Sequence, residues 1–148
     1  LAARMDEKNN RIYCLMGDGE IQEGNIWEAA MAASHYRLDN LCGIVDCNGL
    51  QIDGKVRDVM NPEPIADKWR AFGWHAIECD GHSFEPLLSA FDTARGVKGK
   101  PTVIVARTVK GKGVSFMENK VNFHGVAPTQ EEARKAFEEL VRGRTTSS

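Results

Sequence analysis

The chain lacks several features that would assign it quickly to a class. No stretch approaches the roughly 20 consecutive apolar residues of a membrane span, and no leader-like segment is visible, so no membrane partner is expected. There is no basic excess either: 19 Lys and Arg stand against 21 Asp and Glu, for a net charge of −2, so the cationic footprint of a nucleic-acid binder is missing. The four cysteines form no CxxC pair and no zinc-like spacing. Cys14, Cys42 and Cys79 fall within apolar stretches, which points to buried, reduced thiols in a cytoplasmic protein. There is no internal repeat and no low-complexity segment. The 148 residues suit one domain that buries about 70% of its unfolded surface. The first residue is Leu1 rather than a start methionine, and residues 1–5 read as the end of a helix whose beginning is missing. The expectation is a piece of something longer.

Four short apolar runs are present, at residues 12–16, 41–45, 74–79 and 102–106. Continuous runs of this length suit strands buried on both faces of a parallel sheet. Helical patterns separate them. Asn25 and Glu28 resemble an N-cap box opening an alanine-rich helix over 26–36. Pro64 suits a first helical position ahead of Ile65, Trp69 and Phe72, with Gly73 as the stop. Ser83 suits a cap for a helix bearing Leu87, Leu88 and Phe91, ending near Gly96. Thr129 and Glu132 form a full capping box before Ala133, Phe137, Leu140 and Val141, with Gly143 as the end. The expected fold is therefore α/β, with a mostly parallel sheet and helices on both faces. The domain is expected over 1–143 and a flexible tail over 144–148. Two irregular stretches, 49–63 and 110–128, are long enough to be functional or mobile.

Ligands in such folds bind at the carboxyl ends of strands. Gly17-Asp18-Gly19 follows the first apolar run, and Asn48 follows the second. A carboxylate in a tight turn beside an amide at a neighbouring strand end can share a divalent ion, and magnesium prefers a few protein oxygens plus phosphates and water. Asp18, Asn48 and the Leu50 carbonyl are candidate metal ligands. Gly19 permits an anion to approach the main chain, and the helix starting near Glu23 turns free amides toward it. Asp-Gly and Asn-Gly are also common turn dipeptides, so the pattern taken alone is also compatible with two ordinary turns.

The surrounding residues add a resemblance. Gly17-Asp18-Gly19-Glu20 followed by Asn48 resembles the motif of thiamine diphosphate enzymes. Gln22-Glu23-Gly24, Trp27-Glu28-Ala29-Ala30, Leu38-Asp39-Asn40-Leu41 and Asn48-Gly49-Leu50-Gln51-Ile52-Asp53-Gly54 resemble transketolase. Thr108-Val109-Lys110-Gly111-Lys112-Gly113 and Phe123-His124-Gly125 resemble the short, split transketolases, whose cofactor-binding half is a separate N-terminal subunit. The resemblance implies thiamine diphosphate with Mg2+ or another divalent cation. It implies Asp18, Asn48 and Leu50 at the metal, and Gly19, Asn48, Ile52 and His124 at the cofactor. His124 and Glu23 take catalytic roles, Glu23 in a carboxylate network between the two active sites of a dimer.

The activity so implied is transfer of a two-carbon ketol unit from a ketose phosphate to an aldose phosphate, within the pentose phosphate pathway. The glutamate that faces the cofactor's aminopyrimidine comes, in this family, from a C-terminal subunit or domain on the partner chain. No candidate for it stands here, so the chain alone is expected to be inactive, and an oligomer is expected. An upstream segment carrying histidines and a glycine-rich turn is also expected to be missing. The alternatives are a non-catalytic binding or structural remnant of the fold, a deoxyxylulose phosphate synthase, or a pyruvate dehydrogenase component.

Overall fold

The computed structural model describes residues 1–145. In chain order the elements are α1 (Ala2–Met5), β1 (Ile12–Gly17), α2 (Gly24–His35), β2 (Leu41–Cys47), β3 (Leu50–Gln51), β4 (Gly54–Lys55), α3 (Val56–Met60), α4 (Ile65–Ala71), β5 (His75–Asp80), α5 (Phe84–Gly96), β6 (Thr102–Arg107) and α6 (Gln130–Thr145). The four apolar runs form one parallel sheet in the order β1-β2-β6-β5. β3 and β4 form a small antiparallel hairpin inside the first irregular stretch.

Side chains alternate across a strand, and here each face of the sheet meets its own helices. Met16, Val45, Val103 and Val105 meet Ala30 and Ala33 of α2 and Ile65, Ala66 and Trp69 of α4. Cys42 and Ile104 meet Ala90 and Ala94 of α5 on the other side. The alanines let the helices lie close to the sheet, as the sequence suggests. Aromatic rings fill the wider gap under α4: Trp69 lies edge-on to Trp74 at 4.7 Å and 5.3 Å from Trp27. The Trp74 indole N–H donates to the Ala30 carbonyl at 3.0 Å, tying the start of β5 to α2.

Several local expectations need correction. Helix α2 begins one residue before Asn25, and Glu23 is the N-cap, without a side-chain cap bond. Pro64 is the N-cap of α4 rather than its first residue. Ser83 is the N-cap of α5, but its hydroxyl makes no cap bond. The Thr129–Glu132 box does form: each side chain bonds the other's backbone N–H, at 3.3 and 2.7 Å. Helix α6 passes through Gly143 to Thr145, so the first two residues of the expected tail are helical, and positions 146–148 lie outside the described residues. Cys42 and Cys47 are buried, whereas Cys14 is exposed. The reason is topological. β1 is the edge strand, and its outer residues, Leu15 at 71% exposure among them, have no neighbour beyond them.

Candidate functional site

The parallel register sets the site. Gly17 pairs with Asp46, and Cys47 pairs with Arg107, so β1, β2 and β6 end side by side. The residues that follow them, Asp18, Asn48 and Thr108, emerge at one end of the sheet. Asp18 is only 2% exposed. Its carboxylate accepts the N–H groups of Gly19 at 3.0 Å and Gly49 at 2.7 Å, so one side chain staples the turn after β1 to the turn after β2. Burial pushes the Asp18 pKa up, and the nearby Asp46 adds to this; the two N–H groups oppose it. A carboxylate held dry in this way gains from a cation.

Asp18, Asn48 and Leu50 line one cavity of about 530 Å³, together with Cys47, Lys55, Arg57, Glu63 and Arg107. Lys55 and Arg57 add positive charge to the wall of the cavity. The Asn48 side chain is fixed at both ends: Oδ1 accepts the Leu50 N–H at 2.9 Å, and Nδ2 donates to Asp46 Oδ2 at 3.2 Å. A carboxylate, an amide oxygen and a nearby main-chain carbonyl are hard oxygen donors of the kind magnesium takes. Three protein oxygens would leave the rest of the shell to phosphate and water. The residues present therefore fit a divalent ion carrying a diphosphate.

The other expected site residues fall outside that cavity's lining. At Gly19 an added Cβ would lie 2.9 Å from Gln51 Cβ, so glycine is required there by packing alone. Gln51 is itself held by the Gln22 amide at 2.8 Å. Ile52 sits at the tip of the β3–β4 hairpin and is 75% exposed, an apolar side chain open to a ligand or to another surface. Glu23 is exposed at the start of α2. His124 is half-buried, follows a 3-10 turn over Val121–Phe123, and keeps a buried Nδ1 with no hydrogen-bond partner among the described residues. A buried, unpaired ring nitrogen is costly in the unliganded chain, and a ligand is one way to satisfy it.

The neighbours of these residues are not singled out by the sequence patterns above. Asp46 and Thr108 bond to one another through carboxylate and hydroxyl. Arg107 donates to Glu63 Oε1 at 2.6 Å and Glu78 Oε2 at 3.2 Å, and lies 3.0 Å from Cys47 Sγ. Burial raises the Cys47 pKa to about 11, with Arg107 opposing, so this thiol is neutral near pH 7. Asp46 and Asn48 are two apart at a strand end and so share a face, a signal already present in the sequence. The Arg107–Glu63 pair carries no such signal.

Glu63 closes the irregular stretch: its second oxygen accepts the Ile65 N–H at 2.8 Å, so it joins the start of α4 to the end of β6. The hydrogen bond from Arg107 holds its pKa below the ordinary 4.5. A depressed carboxylate pKa stabilises the fold above the unfolded-state pKa, and that gain is lost as pH falls through the folded value. Glu63→Gln is expected to cost no more than about 1 kcal/mol of stability at pH 7, read from thermal unfolding, because the pair is partly solvated. The difference should shrink as pH falls through the lowered folded-state pKa of Glu63. A difference that stays the same from pH 7 into acid would show that the pair's charge contributes nothing.

The fold and this site together define an α/β domain with a buried carboxylate and a polar-lined cavity at the carboxyl edge of its sheet. Residues 3–141 match the family described as the thiamine diphosphate binding domain of transketolase, and the chain belongs to that family. It is 47% identical to a 6-deoxy-6-sulfo-D-fructose transketolase subunit of Clostridium sp. (strain MSTE9), across 95% of this chain and 51% of that protein. It is 44% identical to one subunit of an apulose-4-phosphate transketolase from Phocaeicola vulgatus, across 95% and 50%. The crystal structure of a Campylobacter jejuni transketolase superposes with a TM-score of 0.85 at 34% identity, covering 92% of this chain and 21% of that one. The chain thus spans about half the length of these curated relatives.

Proposed function

We propose that this chain is the cofactor-anchoring part of a transketolase that moves a two-carbon ketol unit from a ketose phosphate to an aldose phosphate, in concert with a partner polypeptide. The observation that carries the reading is the buried Asp18 carboxylate, placed with Asn48 and Leu50 in one cavity at the ends of β1 and β2. Asp18, Asn48 and the Leu50 carbonyl would hold Mg2+. Gly19 and Asn48 would hold the diphosphate, and Ile52 would lie against the thiazolium ring. When bound, thiamine diphosphate supplies the electron sink for carbon–carbon cleavage. The chain's own contribution is to bind, neutralise and orient. His124, whose buried Nδ1 has no hydrogen-bond partner among the described residues, hydrogen-bonds substrate oxygens and assists proton movement. Glu23 belongs to a carboxylate network shared across an oligomer.

The glutamate that faces the aminopyrimidine comes from the partner, a C-terminal transketolase subunit or domain. The relatives named above act on a sulfo sugar and on a sugar phosphate, so an acceptor or donor with a strongly anionic end fits the same reading. The reaction then belongs to the cytoplasm, among pentose and hexose phosphates.

The test is calorimetric titration of the full-length protein with thiamine diphosphate, with and without Mg2+, combined with a ketol-transfer assay with and without the partner. Cofactor binding should require Mg2+, and ketol transfer should appear only with both polypeptides. No binding at millimolar cofactor, even with the partner present, would leave a non-catalytic scaffold as the correct description.

A further inference from the structure

We propose that Asp46 is a positioning residue that fixes the amide orientation of Asn48 so that Oδ1, and not Nδ2, faces the metal; this rests on the reading that Asn48 is a metal ligand. An asparagine amide is nearly symmetric in shape, but only its oxygen can ligate a cation, and nothing in the residue itself selects that end. Asp46 supplies the side-chain part of the selection, beside one main-chain contact. An ionised carboxylate only accepts hydrogen bonds. Its Oδ2 accepts a hydrogen bond from Asn48 Nδ2 at 3.2 Å, and a flipped amide would set two oxygens against each other. The Leu50 N–H, donating to Oδ1 at 2.9 Å, favours the same orientation and uses only one of the two lone pairs. Asp46 does not line the cavity, whereas Asn48 does, so its influence passes through Asn48.

Asp46 is itself held. The Thr108 hydroxyl donates to its other oxygen, and the Thr108 N–H donates to the Cys47 carbonyl at 3.2 Å. The Thr108 methyl sits so close to Gly81 that a Cβ there would approach it to 2.4 Å. The Asp46 carbonyl accepts the Asp18 N–H at 3.1 Å, so one residue holds both arms of the site, Asp18 by its backbone and Asn48 by its side chain. Partners of this outer kind orient ligands in metal sites generally, and their loss costs about 10–100-fold in affinity.

The alternative is that Asp46 acts only by adding negative charge near a cation, and the variants separate the two. Mn2+ serves as the probe, its binding followed by electron paramagnetic resonance in the presence of thiamine diphosphate, on the full-length protein with its partner. Asp46→Ala should weaken Mn2+ binding by about 10–100-fold. Asp46→Asn, which removes the charge but keeps an acceptor, should stay within about threefold of the unaltered protein. In an Asn48→Ala background, Asp46→Ala should cost nothing further. Equal losses for Asp46→Ala and Asp46→Asn, or additive losses with Asn48→Ala, overturn the proposal in favour of charge. Asp18→Ala separates the two levels. If it retains Mn2+, the site reading itself fails; if it loses Mn2+ while Asp46→Ala does not, only the orienting role fails. Melting by far-UV circular dichroism checks folding. Should Asp46→Ala not fold, Thr108→Val decides, weaker binding supporting the proposal and unchanged binding overturning it.

Discussion

Asp18→Ala is expected to weaken magnesium-dependent binding of thiamine diphosphate by more than about 100-fold, beyond the about 10–100-fold that losing an outer partner costs. Two carboxylates line the cavity, and Glu63 is already neutralised by Arg107. Among the described residues that line it, Asp18 is therefore the carboxylate left to balance a dication. Asp18→Asn should fail nearly as badly. It preserves shape but removes the charge, and it turns one acceptor into a donor facing a main-chain N–H. The fold should survive both changes. The two N–H groups that lose their acceptor belong to Gly19 and Gly49, and Gly49 is exposed, so water can replace part of what is lost. Removing a buried charge also relieves the desolvation that raises the Asp18 pKa. Calorimetry measures the binding and far-UV circular dichroism the fold. A folded Asp18→Ala protein that binds cofactor with native affinity would place the metal elsewhere.

The strand-end logic made Asp18 and Asn48 legible in the sequence. Four apolar runs with intervening helices imply a parallel sheet, and a parallel sheet delivers the residue after each strand to the same edge. What surrounds them depended on strand order, which the sequence does not state. Thr108 reaches Asp46, and Arg107 reaches Glu63 and Cys47, because β6 lies next to β2 although more than fifty residues separate the two in the chain. Strand order also explains Cys14, which the same apolar pattern suggested was buried and which the edge position of β1 leaves exposed. Short-range capping was legible where both partners of a box were present, at Thr129 and Glu132. It was misread at Asn25, where the 3-10 turn over Glu20–Gln22 leads directly into α2 and brings the helix start forward to Gly24. Gly19 shows a third kind of shortfall. A glycine that a phosphate must approach and a glycine that Gln51 must pack against look alike in sequence, and here the packing is close enough to require glycine by itself.

Trp69→Ala is expected to cost about 3–5 kcal/mol of folding stability, the range for emptying a buried tryptophan site. Against the total of about 5–15 kcal/mol for ordinary domains, that is enough to bring this chain near its unfolding threshold. Trp69 is 1% exposed and is the largest of the fully buried side chains. It fills the space between α4, α2 and the start of β5, against Trp27 and Trp74. Trp74, one of the two neighbouring rings, is tied to the Ala30 carbonyl, which limits its movement into the space left. Trp69→Phe should be far milder. The Trp69 indole N–H is buried without a hydrogen-bond partner among the described residues, and an unmet buried donor costs about 1–3 kcal/mol. Phenylalanine removes that donor while keeping a ring, so the two effects oppose each other. Urea unfolding followed by far-UV circular dichroism measures both variants without relying on tryptophan fluorescence. The loss should also reach the site, since α4 begins where Glu63 meets Arg107, and cofactor affinity in Trp69→Ala should fall before the protein unfolds. A Trp69→Ala protein within about 1 kcal/mol of the unaltered one would mean that α4 does not anchor this face of the sheet.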